Sequence, residues 1–200
     1  MKIAFIVFEK MTTLDFVGFF EPMTRLSLYK NRLREELQWD LCGIQEEVKD
    51  DRGMTIKVNK IRPDLSEYDM IFVPGGYATR TLRNDVNFIS WLQTAKDSAL
   101  KVSVCTGALL LGAAGWLHGK RATSNPSAYD LLTPYCKEVA ASRIVKDGNV
   151  ITGGGVAASL DVGLFLVELF SCMDTAMEMQ REMDYPYYKA GNTNADYVIG

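Results

Sequence analysis

A chain of 200 residues with four cysteines and a single histidine has few groups for nucleophilic chemistry. One cysteine stands out by its surroundings. In Lys101-Val102-Ser103-Val104-Cys105-Thr106-Gly107-Ala108, a short β-branched run ends at Cys105 and a helix-forming run begins almost at once. That is the strand–turn–helix pattern of a nucleophile elbow, with Cys in place of Ser and Gly107 where space is tight; Ser103 stands where the pattern has its first Gly. A thiol so placed would sit on a helix N-terminus, whose free N–H groups favour thiolate, so the expectation is a lowered pKa. The alternative is a Cys buried between two core elements, a common use of the residue.

The other candidates are weaker. His118, in Trp116-Leu117-His118-Gly119-Lys120, reads as a surface residue in a polar turn. Thr13 and Asp15 precede a run with helical spacing and read as helix caps. Cys42, Cys136 and Cys172 show no CxxC and no zinc-like spacing. They are expected to be buried bystanders, with no metal, no disulfide framework and a reducing, cytoplasmic setting. A net charge of −3 without a basic run argues against nucleic acid as a partner. No apolar run is long enough to span a bilayer. Met1 to Phe8 is interrupted by Glu9 and Lys10, and reads as a buried first strand rather than a signal peptide.

The elements that must position Cys105 follow from periodicity. Ile3 to Phe8 is a continuous apolar run, as in a strand covered on both faces. Phe16, Phe19, Phe20, Met23 and Leu26 recur at helical spacing, predicting a helix to about Tyr29, with Pro22 in its first turns where it is best tolerated. Strands are expected at 37–44 and 69–73, the second stopped by Pro74-Gly75-Gly76, and a hairpin turns at Asp50-Asp51-Arg52-Gly53. Helices are expected at 86–98, from the elbow to about Gly115, from Asn125-Pro126 onward, at 160–172 and at 177–183. Asp147-Gly148-Asn149 reads as a hairpin turn between two strands. Strands alternating with helices argue an α/β fold with a mostly parallel sheet. One domain over residues 1–185 is expected, with the tail 186–200 unassigned.

Several short motifs in order resemble the ThiJ/PfpI (Parkinsonism-associated deglycase) superfamily. They are Leu14-Asp15-Phe16-Val17-Gly18 with Glu21, Val73-Pro74-Gly75-Gly76, Cys105-Thr106-Gly107-Ala108, Lys120-Arg121-Ala122-Thr123, Ile151-Thr152-Gly153-Gly154-Gly155 and Leu160-Asp161. Within it the chain is most similar to the isonitrile hydratase branch. The resemblance implies a flavodoxin-like three-layer sandwich with a Cys elbow, as in class I glutamine amidotransferases. It also implies a homodimer, no cofactor, a small-molecule substrate, and an active site of Asp15, Cys105 and Thr106.

Where protease-like and glyoxalase-like members carry a histidine, this chain has Asn125, which cannot act as a base near neutral pH. If Asp15 meets Cys105, two like charges cannot comfortably coexist, and the carboxyl pKa should rise into the range of a proton donor. The implied reaction adds water to an isonitrile through a thioimidate on Cys105, giving an N-substituted formamide. The backbone N–H groups of Thr106 and Gly76, beside Gly75, are expected to form an anion-stabilising nest. Glu21 is expected to be structural, and Asp161 a helix cap or dimer contact. The competing readings are another Cys hydrolase (amidase, protease, or glyoxalase/deglycase-like) and a non-enzymatic ligand- or redox-sensing domain.

Overall fold

The computed structural model describes residues 1–29, 32–33, 35–193 and 197–198. In chain order the strands are β1 (Lys2–Ile6), β2 (Gln38–Gly43), β3 (Glu47–Lys49), β4 (Thr55–Lys57), β5 (Lys60–Ile61), β6 (Met70–Val73), β7 (Leu100–Val104), β8 (Arg121–Ala122), β9 (Glu138–Val139), β10 (Ile144–Asp147), β11 (Val150–Gly153) and β12 (Tyr197–Val198). The helices are α1 (Thr13–Arg25), α2 (Thr79–Leu82), α3 (Val86–Leu92), α4 (Ala108–Ala113), α5 (Tyr129–Leu132), α6 (Ala158–Phe170) and α7 (Met173–Glu182).

The main sheet runs β12-β10-β11-β7-β6-β1-β2-β5. Its central strands β2, β1, β6, β7 and β11 are parallel, and only β10 and β12 at one edge pair antiparallel. This is the doubly wound, flavodoxin-like order, with helices covering both faces. Helices α1, α6 and α7 pack together on one face. On the other, α2 and α5 pack on α4, and the Gln93 side chain just after α3 donates to the Ala114 carbonyl just after α4 at 3.3 Å. The apolar runs of β1 and β6 are buried because both faces are covered. Among the described residues no helix is long and apolar enough to cross a membrane.

Several elements depart from expectation. The N-cap of α1 is Thr12, not Thr13 or Asp15, and its side chain makes no capping bond. Pro22 lies near the C-terminal end of α1 rather than in its first turns. It faces Gly163 of α6, where a Cβ would come within 2.3 Å of the Pro22 ring, so the lost backbone bond coincides with a close helix–helix contact. Helix α3 stops at Leu92 rather than Ser98. There the Thr94 hydroxyl donates to the Trp91 carbonyl and accepts from the Leu65 N–H, giving the chain a local alternative to further helix.

Within the tail, Tyr188 donates its phenol to Glu168 at 2.7 Å and the Gly191 N–H donates to the same carboxylate. Residues 194–196 and 199–200 lie outside the described residues.

Candidate active site

Four connections converge beyond the carboxyl ends of the parallel strands, where open α/β sheets bind ligands. The loop after β1 leads into α1, Pro74-Gly75-Gly76 follows β6, the elbow follows β7, and Gly154-Gly155 follow β11. Cys105 has φ +56°, the left-handed region that a non-glycine residue enters only at a cost of about 1–3 kcal/mol. Two hydrogen bonds hold it there. Its N–H donates to the Gly154 carbonyl at 2.7 Å, and its carbonyl accepts from the Ser124 hydroxyl at 2.8 Å.

Asp15 lies in the first turn of α1 and is fully buried. It does not cap its own helix. Its Oδ2 accepts from the Gly75 N–H at 2.9 Å, while Oδ1 has no hydrogen-bond partner. A Cβ at Gly75 would come within 2.6 Å of Asp15 Oδ2, 2.7 Å of the Thr106 nitrogen and 2.8 Å of Cys105 Cβ. Only glycine fits a position so close to all three groups, and the same measurement places Asp15, Thr106 and Cys105 around one point.

Burial, more than anything else, sets the proton affinities. It drives the Asp15 carboxyl up to about 7, against hydrogen bonds from Gly75 and Cys105 that pull it down; the charge of Asp51 adds to the rise. Burial, and then the Asp15 charge, push the Cys105 thiol up to about 12. The expected low-pKa thiolate is therefore corrected. The Thr106 N–H and the Asn125 side chain favour the thiolate, but together they do not outweigh desolvation and a neighbouring carboxylate. The helix behind the thiol is also short, a single 3-10 turn followed by the six residues of α4. The carboxyl takes its shift as anticipated, although mainly from burial rather than from the thiol.

The expected anion nest is also corrected. The Gly76 N–H donates to Thr106 Oγ1 at 3.0 Å, the Thr106 hydroxyl donates back to the Gly76 carbonyl at 3.1 Å, and the Gly75 N–H is taken by Asp15. These amides tie the loop to the elbow and the acid. The Thr106 backbone N–H is the one turned toward the sulfur.

Two contributions were missed from sequence. Asn125 caps the following turn through Oδ1, which accepts from the Ser127 N–H and hydroxyl, and its side chain also interacts with the Cys105 sulfur. The signal was its place in Asn125-Pro126-Ser127: a capping amide uses only one of its two arms. The 50–53 hairpin docks on the start of α1. Asp50 accepts from Thr13, Thr12 donates to Asp51 at 3.3 Å, and the Asp51 N–H donates to the Met11 carbonyl. Nothing local in the sequence announces that contact.

A cavity of about 230 Å³ opens above the thiol, lined among others by Thr12, Asp51, Arg80, Cys105, Thr106 and Asn125. A larger one, about 430 Å³, lies at the opposite end of the sheet beside Met1, Asp69, Leu100 and Phe170 and contains no thiol. The remaining candidates fall elsewhere. Glu21 pairs with Arg25 on an exposed face of α1. Asp161 is not the expected cap: no side chain caps α6, and its carboxylate binds Arg143 and the Tyr185 phenol. Cys42 is buried, Cys136 half-buried and Cys172 exposed, so the last two depart from the buried expectation. His118 is exposed. Among the described residues no three His, Cys, Asp or Glu side chains gather as a metal site.

The family model described as the DJ-1/PfpI family matches residues 1–169. The chain is 34% identical over 187 residues to isonitrile hydratase from Pseudomonas putida, covering 92% of this chain and 78% of that protein. It is 30% identical over 105 residues to a deglycase from Pyrococcus horikoshii, covering 50% of this chain and 62% of that one. Among solved structures, a ThiJ/PfpI family protein from Pseudomonas syringae superposes with a TM-score of 0.82 at 29% identity, covering 96% of this chain and 77% of that one.

Proposed function

This chain belongs to the DJ-1/PfpI family, and we propose that it hydrates isonitriles to N-substituted formamides, with Asp15 as acid and base and Cys105 as nucleophile. The observation that carries the reading is a buried carboxyl, raised to about 7, beside a thiol raised to about 12. An isonitrile becomes an electrophile when its terminal carbon is protonated, so the enzyme needs an acid still protonated near neutral pH. Asp15 is then about half protonated, whereas an ordinary Asp would be below about 0.1%.

In the first step the Asp15 carboxyl gives its proton to the isonitrile carbon, forming a nitrilium. The Cys105 sulfur attacks that carbon while its S–H proton passes to the Asp15 carboxylate, leaving a thioimidate and a protonated Asp15. Asp15 next protonates the thioimidate nitrogen and accepts a proton from water as the water oxygen attacks the same carbon. The tetrahedral adduct collapses with cleavage of the C–S bond. Its hydroxyl proton leaves as the carbonyl forms, the sulfur is reprotonated through Asp15, and the formamide departs. The sum is one isonitrile plus one water. The Thr106 N–H and the Asn125 side chain, both turned to the sulfur, stabilise negative charge on it as the bonds change.

The redox-sensing alternative is weakened by the same thiol, because oxidation proceeds through thiolate and burial disfavours it. Hydrolase or deglycase chemistry must also use Asp15 as its base, since Asn125 stands where a histidine would act. Formamide production from an alkyl isonitrile, compared with turnover of methylglyoxal and of an amide, tests the reading. Turnover confined to methylglyoxal or the amide refutes it.

A further inference from the structure

The cavity fixes which way a linear isonitrile must enter. Cys105 lines the cavity while Asp15 is fully buried outside its lining, so the isonitrile carbon meets the sulfur and the substituent on nitrogen extends away from it toward the mouth. The charges at the mouth do not cancel. Arg52, 80% exposed, lies 3.6 Å from Asp51, and these two offset each other. Arg80 lines the same cavity, half-buried, and has no acidic partner among the described residues. Its guanidinium lies 5.5 Å from the centre of the exposed Tyr77 ring, a cation–π contact that steadies a positive charge without neutralising it.

Arg80 is also fixed relative to the thiol. The preceding residue, Thr79, is fully buried and donates its hydroxyl to the Gly76 carbonyl at 2.8 Å. The same Gly76 exchanges hydrogen bonds with Thr106, next to Cys105. The neighbouring arginine is turned elsewhere, since Arg83 donates to the Leu131 carbonyl and sits against Tyr135.

We propose that Arg80 makes the mouth of this cavity a subsite for a carboxylate borne by the substrate's substituent. Guanidinium pairs with carboxylate through two parallel N–H donors, which gives direction as well as attraction. Arg52 cannot serve equally, because Asp51 already answers its charge. A cationic substituent is repelled and a neutral one gains nothing from Arg80. The nature of the reacting group rests on the hydratase reading; the subsite itself does not.

Two comparisons test it separately. The first measures kcat/KM for para-isocyanobenzoate and for its neutral methyl ester. The ratio of acid to ester should fall about tenfold or more in Arg80→Gln and by a smaller factor in Arg80→Lys, which keeps the charge but loses the paired donors. The second needs no enzymatic turnover. 4-(Bromomethyl)benzoate and its methyl ester alkylate the same thiol by displacing bromide, and differ chiefly in carrying a carboxylate or an ester at the far end of the ring. Their relative rates are followed on the peptide containing Cys105, which excludes the exposed Cys172. Arg80→Gln should lower the acid-to-ester alkylation ratio about fivefold, and added salt should lower it in wild type. Taking the ratio cancels any general loss of access. If neither isonitrile is turned over, the hydratase reading fails and the alkylation ratio still decides the subsite. An alkylation ratio identical in wild type and Arg80→Gln overturns the subsite, whatever the turnover.

Discussion

Two aspartates at opposite ends of one sheet behave in opposite ways. Asp69, just before β6, accepts a backbone N–H from Lys2 at 2.9 Å; Asp15, beyond the other end, accepts one from Gly75 at the same distance. Asp69 is about half exposed and has Lys96 at 3.0 Å. The Lys2 N–H and then Lys96 hold its carboxyl below the usual range. Asp15 is fully buried and its pKa rises to about 7, because one backbone bond and a thiol do not replace the water it has lost. The difference locates the chemistry. At the amino end of β6 Asp69 is answered by a lysine and faces solvent, while at the carboxyl ends Asp15 is kept without a cation beside a thiol.

The largest effect expected is on turnover. Cys105→Ala and Asp15→Asn should each lower isonitrile hydration by about 10³-fold or more with an unchanged circular dichroism spectrum. Asp69→Asn should change it less than about twofold. Comparable losses at both aspartates would erase the distinction between the two ends.

Stability against pH sharpens the contrast next. The folded chain holds a proton on Asp15 between its ordinary value of 3.8 and about 7, where the unfolded chain has lost it. Folding stability from this group therefore falls as pH rises through that window, by up to about 4 kcal/mol. Urea titrations from pH 4 to 8 should show Asp15→Asn gaining on wild type as pH rises. Asp69 has the opposite sign, because its folded pKa is depressed. Its contribution is present above its unfolded value and lost as pH falls through its folded one, so Asp69→Asn should cost most near neutrality, about 1 kcal/mol or less for an exposed pair. Parallel pH profiles for the two variants would contradict the assignment.

A smaller effect concerns the sulfur's neighbours. Asn125→Ala removes a donor that favours thiolate, and kcat/KM should fall about 10- to 100-fold with the Cys105 pKa moving further up, read from the pH dependence of its alkylation. An unchanged thiol titration would remove Asn125 from the site. The wild-type kcat/KM should decline above about pH 7, as Asp15 loses the proton it must donate.

Much of this arrangement is legible locally. Apolar runs mark β1 and β6, Pro74-Gly75-Gly76 marks the end of β6, and the break at Val104-Cys105 marks the elbow. What is not legible depends on distant partners. Pro22 looks like a residue for a first turn until Gly163 of α6 is seen against it. The pKa of Cys105 depends on how completely Asp15 and the elbow are buried, which no local spacing encodes. The docking of Asp50 and Asp51 on α1 joins residues that sequence patterns treat separately. Asn125 was visible as a cap, but its interaction with the sulfur requires knowing that the turn after β8 returns to the elbow.

The most direct measurement is the ionisation of Asp15 itself, from the infrared carbonyl band of its protonated carboxyl in wild type minus Asp15→Asn across pH. A band present at pH 5 and lost with a midpoint near 7 is the predicted result. A carboxyl already ionised by pH 5 would mean that the site holds no acid at neutral pH, and the account of the reaction would be wrong.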